Sequence, residues 1–114
     1  MIKLYGIKNC DTVRKARKWL EQQGIEHSFT DYRDDPVSKS ELESWYDVVG
    51  DKLLNKRSTS WKQLSEAERS ASDKPDIVAL LAQHPTLIKR PVLVNGNTVH
   101  VGFADKDYQQ LTAN

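Results

Sequence analysis

The first 32 residues of the chain follow a strand–helix–strand pattern. Residues 2–6 form a short apolar run, residues 12–23 carry apolar side chains at helical spacing, and residues 26–32 alternate weakly between apolar and polar. Gly24 follows the helical segment as a stop signal. Two strands joined by a crossover helix run parallel in one sheet. The pattern therefore predicts a βαβ unit, which restricts the chain to folds containing a parallel strand pair.

The middle of the chain is predicted to be helical. Ser38 and Glu41 have the spacing of a capping box, and apolar residues follow them at helical intervals. Ser60 with Gln63 is a second capping-box candidate. Pro75 suits the first turn of a further helix, because a proline there removes no helical hydrogen bond.

The last quarter of the chain predicts a hairpin and a final helix. Runs at 92–94 and 98–101 flank an Asn-Gly pair, a strong hairpin signal, and a helix follows over roughly 104–112. The whole order is βαβ, several helices, then ββα. It predicts an α/β fold of the thioredoxin-like type, with a mixed four-stranded sheet and a helical insertion at about 36–84. We expect one domain over residues 1–114.

Composition excludes several classes of protein. Seventeen Lys and Arg residues nearly balance sixteen Asp and Glu residues, whereas a dedicated nucleic-acid binder has a basic excess. One cysteine cannot form an internal disulfide, no signal-peptide pattern opens the chain, and no apolar run approaches the roughly 20 residues of a membrane span. The three histidines lack metal-ligand spacing. We expect a cytoplasmic monomer that binds no metal, no nucleic acid and no membrane.

Cys10, the single cysteine, lies where the first strand should lead into the first helix. Free N–H groups and the helix dipole favour an anion there, and Lys8 and Arg14 add positive charge, so the nucleophilic thiolate is favoured. The alternative is a small buried apolar residue. Asn9 either donates a hydrogen bond to the sulfur or shapes the turn. Thr12 is a further candidate beside the thiolate, although a helix-capping role suits it better, and Lys8 suits a solvated surface role equally well.

Three segments carry a recognisable pattern: residues 8–14 (Lys-Asn-Cys-Asp-Thr-x-Arg), residues 53–57 (Leu-Leu-Asn-Lys-Arg) and residues 86–92 (Thr-Leu-Ile-Lys-Arg-Pro-Val). They resemble the family of glutaredoxin-coupled arsenate reductases and their relatives. They occur in the family's order, and the resemblance extends from Met1 to about Leu111. Around the cysteine the chain is most similar to the YffB-type branch, whose members have been suggested to be glutathione-dependent thiol reductases.

The resemblance implies an anion site that differs from that of the arsenate reductases. In those enzymes three arginines hold the oxyanion beside the cysteine. Arg90 matches one of them, Asn55 stands at the second position with Arg57 displaced by two residues, and the third position falls near the uncharged Phe103. Each arginine contact stabilises an oxyanion by roughly 1.5–3 kcal/mol, so losing two would weaken arsenate use by orders of magnitude. In thioredoxin-like folds the proline matching Pro91 is cis and faces the cysteine, so we expect its neighbours' backbone groups to meet the substrate.

These features together predict a single-cysteine, glutathione-dependent thiol oxidoreductase. Cys10 would be the nucleophile, and Arg90 would bind an anionic group of the substrate or a carboxylate of glutathione. Glutathione would be a co-substrate rather than a bound cofactor, and glutathione or a glutaredoxin would clear the adduct. Two alternatives stay open: a glutaredoxin-coupled arsenate reductase, and a non-enzymatic regulator of the Spx type. Spx-type relatives carry a Cys-x-x-Cys switch, which Val13 excludes here.

Overall fold

The computed structural model describes residues 2–113. Its elements in chain order are β1 (Ile2–Gly6), α1 (Asp11–Gln22), β2 (His27–Asp31), α2 (Lys39–Val49), α3 (Thr59–Lys62), α4 (Glu66–Arg69), α5 (Lys74–Gln83), β3 (Val92–Asn95), β4 (Thr98–Val101) and α6 (Asp105–Thr112). Short 3₁₀ turns lie at Gly50–Leu53 and Pro85–Leu87. The described residues group into two compact units: a sheet unit, up to Asp35 and from Arg90 onward, and a helical unit, Pro36–Lys89.

The sheet unit contains one mixed sheet of four strands in the order β2-β1-β3-β4. β1 is parallel to β2 and antiparallel to β3, and β3 is antiparallel to β4. The core on this sheet is a cluster of buried side chains from β1, α1, β3 and α6: Ile2, Leu4, Ala16, Leu20, Leu93 and Tyr108. The predicted α/β class and thioredoxin-like arrangement are confirmed.

Local signals explain where the elements of the sheet unit begin and end. α1 ends before Gly24, which has φ +66° and donates its N–H to the Glu21 carbonyl, as expected of a glycine stop. The hairpin between β3 and β4 is also confirmed, but its central residues are Gly96 and Asn97 because Asn95 already pairs in the ladder. Gly96 has φ +62°, which the first central position of a type II′ turn requires.

The helical unit confirms one predicted cap. The Ser38 Oγ accepts a hydrogen bond from the Glu41 N–H at 3.1 Å, so α2 begins where the sequence placed it. The predicted capping box of Ser60 with Gln63 is wrong. α3 begins two residues earlier, after Ser58, while the Ser60 hydroxyl forms a hydrogen bond of 2.6 Å with Thr86.

A capping box does form, one short helix further on. The Ser65 Oγ accepts from the Glu68 N–H at 3.1 Å, and the Glu68 carboxylate accepts from the Ser65 N–H at 3.1 Å. The predicted helix at Pro75 is confirmed as α5, with Pro75 in its first turn and its end before His84. α2 packs against α5 over a core of large buried side chains, among them Leu42, Trp45, Ile77 and Leu81.

Candidate functional site

Cys10 is the N-cap residue of α1. Its backbone is extended, its N–H donates to the Ile7 carbonyl at 3.1 Å, and its carbonyl accepts from the Arg14 N–H at 3.0 Å. The thiol is half-buried and forms no disulfide. The predicted place of the cysteine at the helix start is therefore confirmed, and it is neither sealed in the core nor fully exposed. Its role as a nucleophile stays a prediction.

Asp31 supports the loop that carries Cys10. Its carboxylate lies 3% exposed and accepts hydrogen bonds from the backbone N–H groups of Lys8 and Arg33, each at 3.0 Å. The Arg33 Nε lies 3.6 Å away. Burial would raise the pKa of Asp31, but the two N–H bonds and the positive charge of Arg33 outweigh it and lower the pKa below 3.8. Asp31 is thus an ionised group that fixes the β1–α1 loop.

Tyr32 follows Asp31 and is fully buried. Its N–H donates to the Gly6 carbonyl at 3.1 Å, which continues the β1–β2 pairing. Burial raises the pKa of Tyr32 far above 10, so its hydroxyl is neutral. The positive charge of the Arg90 guanidinium opposes this shift without cancelling it. Tyr32 lies at the end of the sheet where β1 leads to Cys10.

Arg90 and Pro91 enter the sheet unit directly before β3. The Arg90–Pro91 peptide bond is cis, as expected for this fold, and Pro91 is buried while Arg90 is half-buried. The Pro91 carbonyl accepts from the Gly102 N–H at 2.9 Å. Val92 pairs with Tyr5, so Arg90 enters at the end of the sheet where β1 leads to Cys10.

The two cations predicted to stabilise the thiolate are both paired with carboxylates. The Lys8 Nζ lies 3.7 Å from the Asp34 carboxylate, and the Arg14 guanidinium donates a hydrogen bond to the Asp11 carboxylate. All four side chains are exposed. Each carboxylate partly neutralises the positive charge of the cation beside it. Stabilisation of a Cys10 thiolate by Lys8 or Arg14 therefore stays a prediction.

Asn9 and Thr12 complete the predicted set around the cysteine, and both are exposed. The capping interpretation of Thr12 is wrong. α1 begins at Asp11, one residue earlier than predicted, so Thr12 already lies inside the first turn and Cys10 occupies the cap position. Within the part of the chain that the structure describes, no contact assigns either residue a part in the chemistry, and their proposed contributions stay predictions.

Asn55 and Arg57 belong to the helical unit. The Asn55 N–H donates to the Leu87 carbonyl at 2.8 Å, and its side-chain oxygen accepts from the Arg57 N–H at 3.1 Å, which closes a local turn. The Arg57 side chain is exposed. Anion binding by this pair stays a prediction.

Phe103 occupies the third arginine position of the resemblance and lies in the sheet unit. Its ring packs edge-to-face on Tyr108 with the centroids 4.8 Å apart. It is therefore a packing residue, and it supplies no charge to an oxyanion.

Within residues 2–113, no cluster of three or more His, Cys, Asp or Glu side chains could hold a metal ion. None of the helices in the same range is both long and apolar enough to cross a bilayer.

The site contains two residues that the sequence analysis missed, Asp31 and Tyr32. Both lie at the carboxyl end of β2, beside the end of β1 that leads to Cys10. Loops at the carboxyl ends of parallel strands meet at one edge of the sheet. The βαβ pattern was therefore sufficient to draw attention to Asp31, the carboxylate at the end of the second strand.

A four-stranded mixed sheet with a cysteine at the first helix start and a cis-proline before the third strand defines a thioredoxin-like protein with a one-cysteine site. Within that class, the model of the ArsC family matches residues 5–111. The chain belongs to the ArsC family and has its arsenate reductase-like fold.

Individual relatives span nearly the whole chain. An uncharacterized protein of Haemophilus influenzae is 46% identical over 114 residues, which cover 99% of this chain and 100% of the relative. The solved structure of a protein named YFFB is 35% identical with a TM-score of 0.95, covering 99% of this chain and 100% of its own. The global transcriptional regulator Spx of Bacillus subtilis is 26% identical over 114 residues, covering 97% of this chain and 86% of Spx.

Proposed function

We propose that this protein is a glutathione-linked thiol oxidoreductase with Cys10 as its nucleophile. The Cys10 thiolate attacks the glutathione sulfur of a mixed disulfide. The disulfide bond breaks, the substrate leaves as a thiolate that takes up a proton, and Cys10 becomes bonded to glutathione. A second glutathione thiolate then attacks the glutathione sulfur of this adduct, which releases oxidised glutathione and returns Cys10 as the thiolate.

The observation that carries this proposal is the half-exposed Cys10 at the start of α1, at the same end of the sheet as Arg90 and the cis-proline that precede β3. A single cysteine cannot resolve its own mixed disulfide, so an external thiol must close the cycle. Glutathione carries carboxylates, and a guanidinium is suited to pair with a carboxylate in a charge-assisted hydrogen bond. One guanidinium matches one carboxylate better than it matches a multiply charged arsenate.

Mass spectrometry of the intact protein after treatment with oxidised glutathione tests this proposal. We expect wild type to gain one glutathionyl group that free glutathione removes again. Cys10→Ser should gain none, and it is the matched control because the hydroxyl replaces the thiol without a change in shape. A wild-type protein that stays unmodified would refute the proposed reaction.

Arsenate reduction is the second candidate, because the family model and fold are those of arsenate reductase-like proteins. Turnover of arsenate coupled to glutathione and glutaredoxin would establish it. We expect little or no turnover, since Phe103 packs in the core where the resemblance calls for an arginine. Efficient turnover abolished by Arg90→Ala would replace the main proposal.

Regulation by protein binding is a third candidate, favoured by the 26% identity to Spx. Binding to a transcription component that is unaffected by Cys10→Ser, in a protein without thiol chemistry, would favour it. We expect instead that the activity of this protein requires the Cys10 thiol and is lost in Cys10→Ser.

A further inference from the structure

Two segments of the helical unit carry cations without any carboxylate. Residues 52–65 and 77–89 contain five Lys and Arg residues and no Asp or Glu, although the unit as a whole has eight residues of each charge. All of the carboxylates of the unit lie within residues 41–51 and 66–76. The five cations are all exposed: Lys52, Lys56, Arg57, Lys62 and Lys89.

Backbone pairing brings the two segments together. Residues 53–55 run antiparallel to residues 87–89, joined by one isolated bridge. On either side of that bridge, the N–H groups of Asn55 and Lys89 each donate to a carbonyl of the other segment at 2.8 Å. Lys89 therefore lies beside the segment that carries the other four cations.

An aromatic ring lies among these cations. Trp61 is half-buried, and the Lys56 Nζ lies over its ring, 5.6 Å from the ring centre. Lys62 follows Trp61 directly in α3, and the hydrogen bond of 2.6 Å between the Ser60 and Thr86 hydroxyls holds this helix to the second segment. Tryptophan and cationic side chains are enriched at the energetic centres of protein interfaces. We call Trp61 and the five cations the basic surface.

The cations of the basic surface have no carboxylate partners. Within residues 2–113, none of the five forms an ion pair. In contrast Lys74, a cation of the same unit outside the surface, lies 2.6 Å from the Asp47 carboxylate. Asp51, the carboxylate next to Lys52 in the chain, accepts a hydrogen bond from the Tyr46 hydroxyl at 2.9 Å. Cations gathered on one surface repel one another, and an anionic partner relieves that repulsion.

We propose that the basic surface docks an acidic segment of a partner protein, a run of Asp and Glu side chains. Such a segment offers a carboxylate to each cation, and the apolar stems of its glutamates can pack against the Trp61 indole. A nucleic acid fits the surface less well. Lys56 already covers the half-buried ring on which a base would stack, and the helical unit lacks the basic excess of a nucleic-acid-binding domain.

Titration of the isotope-labelled protein with a capped oligoglutamate peptide, followed by NMR, tests this proposal. The chain has three tryptophans, of which Trp19 lies in the sheet unit and Trp45 is buried. We expect the indole N–H signal of Trp61 alone to shift, together with the amide signals of residues 52–62 and of Lys89. Added salt should weaken the binding, because it screens exposed charges. Unchanged signals, or shifts spread evenly over the chain, would overturn the proposal.

Charge reversal provides the matched comparison. Lys56→Glu combined with Lys62→Glu should weaken peptide binding by roughly tenfold or more, since each change removes an attraction and adds a repulsion. Lys39→Glu combined with Arg69→Glu is the control. Both of these residues are exposed cations of the helical unit outside the basic surface, neither forms an ion pair within residues 2–113, and the net charge changes equally. Equal losses of affinity in the two double variants would overturn the proposal.

Glutamine substitutions keep the proposal testable should the reversed charges prevent folding. Lys56→Gln combined with Lys62→Gln removes two attractions without adding repulsion, so the affinity for the peptide should fall by a smaller factor than on charge reversal. An affinity equal to that of wild type would contradict the part assigned to these two lysines.

An oligothymidylate of the same net charge as the peptide separates a protein partner from a nucleic acid. We expect it to bind the basic surface more weakly than the peptide does. Equal or tighter binding of the oligothymidylate would overturn the proposal in favour of a nucleic-acid partner.

The docking proposal goes beyond the thiol chemistry and is tested separately from it. The basic surface belongs to the helical unit, whereas Cys10 belongs to the sheet unit. Cys10→Ser should therefore bind the peptide as tightly as wild type does, and a weaker affinity would overturn a surface built from the helical unit alone. If the peptide binds as expected while Cys10 never takes up glutathione, the inference stands and the proposed function fails.

Discussion

At the scale of single residues, Asp31 is expected to contribute more to stability than any other carboxylate near the site. Asp31→Asn replaces a buried, ionised acceptor of two backbone N–H groups by an amide whose NH₂ must face one of them. Hydrogen bonds to a charged group each contribute about 1.5–3 kcal/mol, so the free energy of unfolding at pH 7 should fall by about 2 kcal/mol or more. Urea unfolding measures this difference.

Asp34→Asn is the matched control for Asp31→Asn. The Asp34 carboxylate is 74% exposed and lies 3.7 Å from the Lys8 ammonium, a surface pair of little energetic weight. Its loss should leave the free energy of unfolding nearly unchanged. If both substitutions lowered the free energy of unfolding equally, the hydrogen bonds of Asp31 would contribute no additional stability.

The stability contributed by Asp31 should also depend on pH. Its pKa is lower in the folded protein than the ordinary 3.8, so the folded state favours the ionised form. This contribution is fully present above the unfolded value and is lost as pH falls through the lower folded value. The difference in unfolding free energy between wild type and Asp31→Asn should therefore be constant from pH 7 to about pH 5 and shrink below about pH 4. A difference that grows on acidification would contradict this assignment.

Residue roles at the site were predictable only in part. Cys10 and Arg90 stood out because a lone thiol before a helix and an arginine before a proline are local signals. Tyr32 did not, since a tyrosine at the end of an alternating strand is typical of a core residue, and only the pairing of β3 with β1 brings Arg90, 58 residues further along, to the same end of the sheet. Roles that depend on long-range pairing leave no trace in a local pattern.

At the scale of elements, β1 and α1 approach so closely that only glycine fits between them. A Cβ on Gly6 would lie 2.7 Å from the Cγ2 of the buried Val13. Gly6→Ala should therefore destabilise the protein by about 1–3 kcal/mol, because the helix that carries Cys10 at its start must shift. Chemical unfolding measures the loss, and Cys10 alkylation rates report the displacement.

Val13→Ala provides the internal control for this contact. It removes both Val13 methyl groups that meet the new Cβ, at the expense of a small cavity. The double variant should be more stable than the sum of the two single effects implies, with a coupling of roughly 0.5–3 kcal/mol. Additive effects would show that the two side chains do not compete for the same space.

The elements themselves followed from the sequence wherever periodicity and caps agreed, as they do for α2. They did not agree between residues 58 and 68. There Ser60–Gln63 and Ser65–Glu68 both have capping-box spacing, and Ser58 caps α3 without any acidic partner. Helices of four residues contain too little periodicity to decide between such candidates, so the choice falls to tertiary contacts such as that of Ser60 with Thr86.

At the scale of the whole molecule, one thiol per chain fixes the stoichiometry of any thiol exchange. The chain can accept one glutathionyl group and has no second cysteine to pass it on. Mixed with a glutathionylated substrate but no free thiol, the reduced protein should release one equivalent of substrate thiol per chain and then stop. Added glutathione should restart release, because it alone removes the group from Cys10. Rapid-quench thiol assays measure the burst, and Cys10→Ser should show none. Sustained release of substrate thiol without added glutathione would mean that Cys10 does not carry the glutathionyl group.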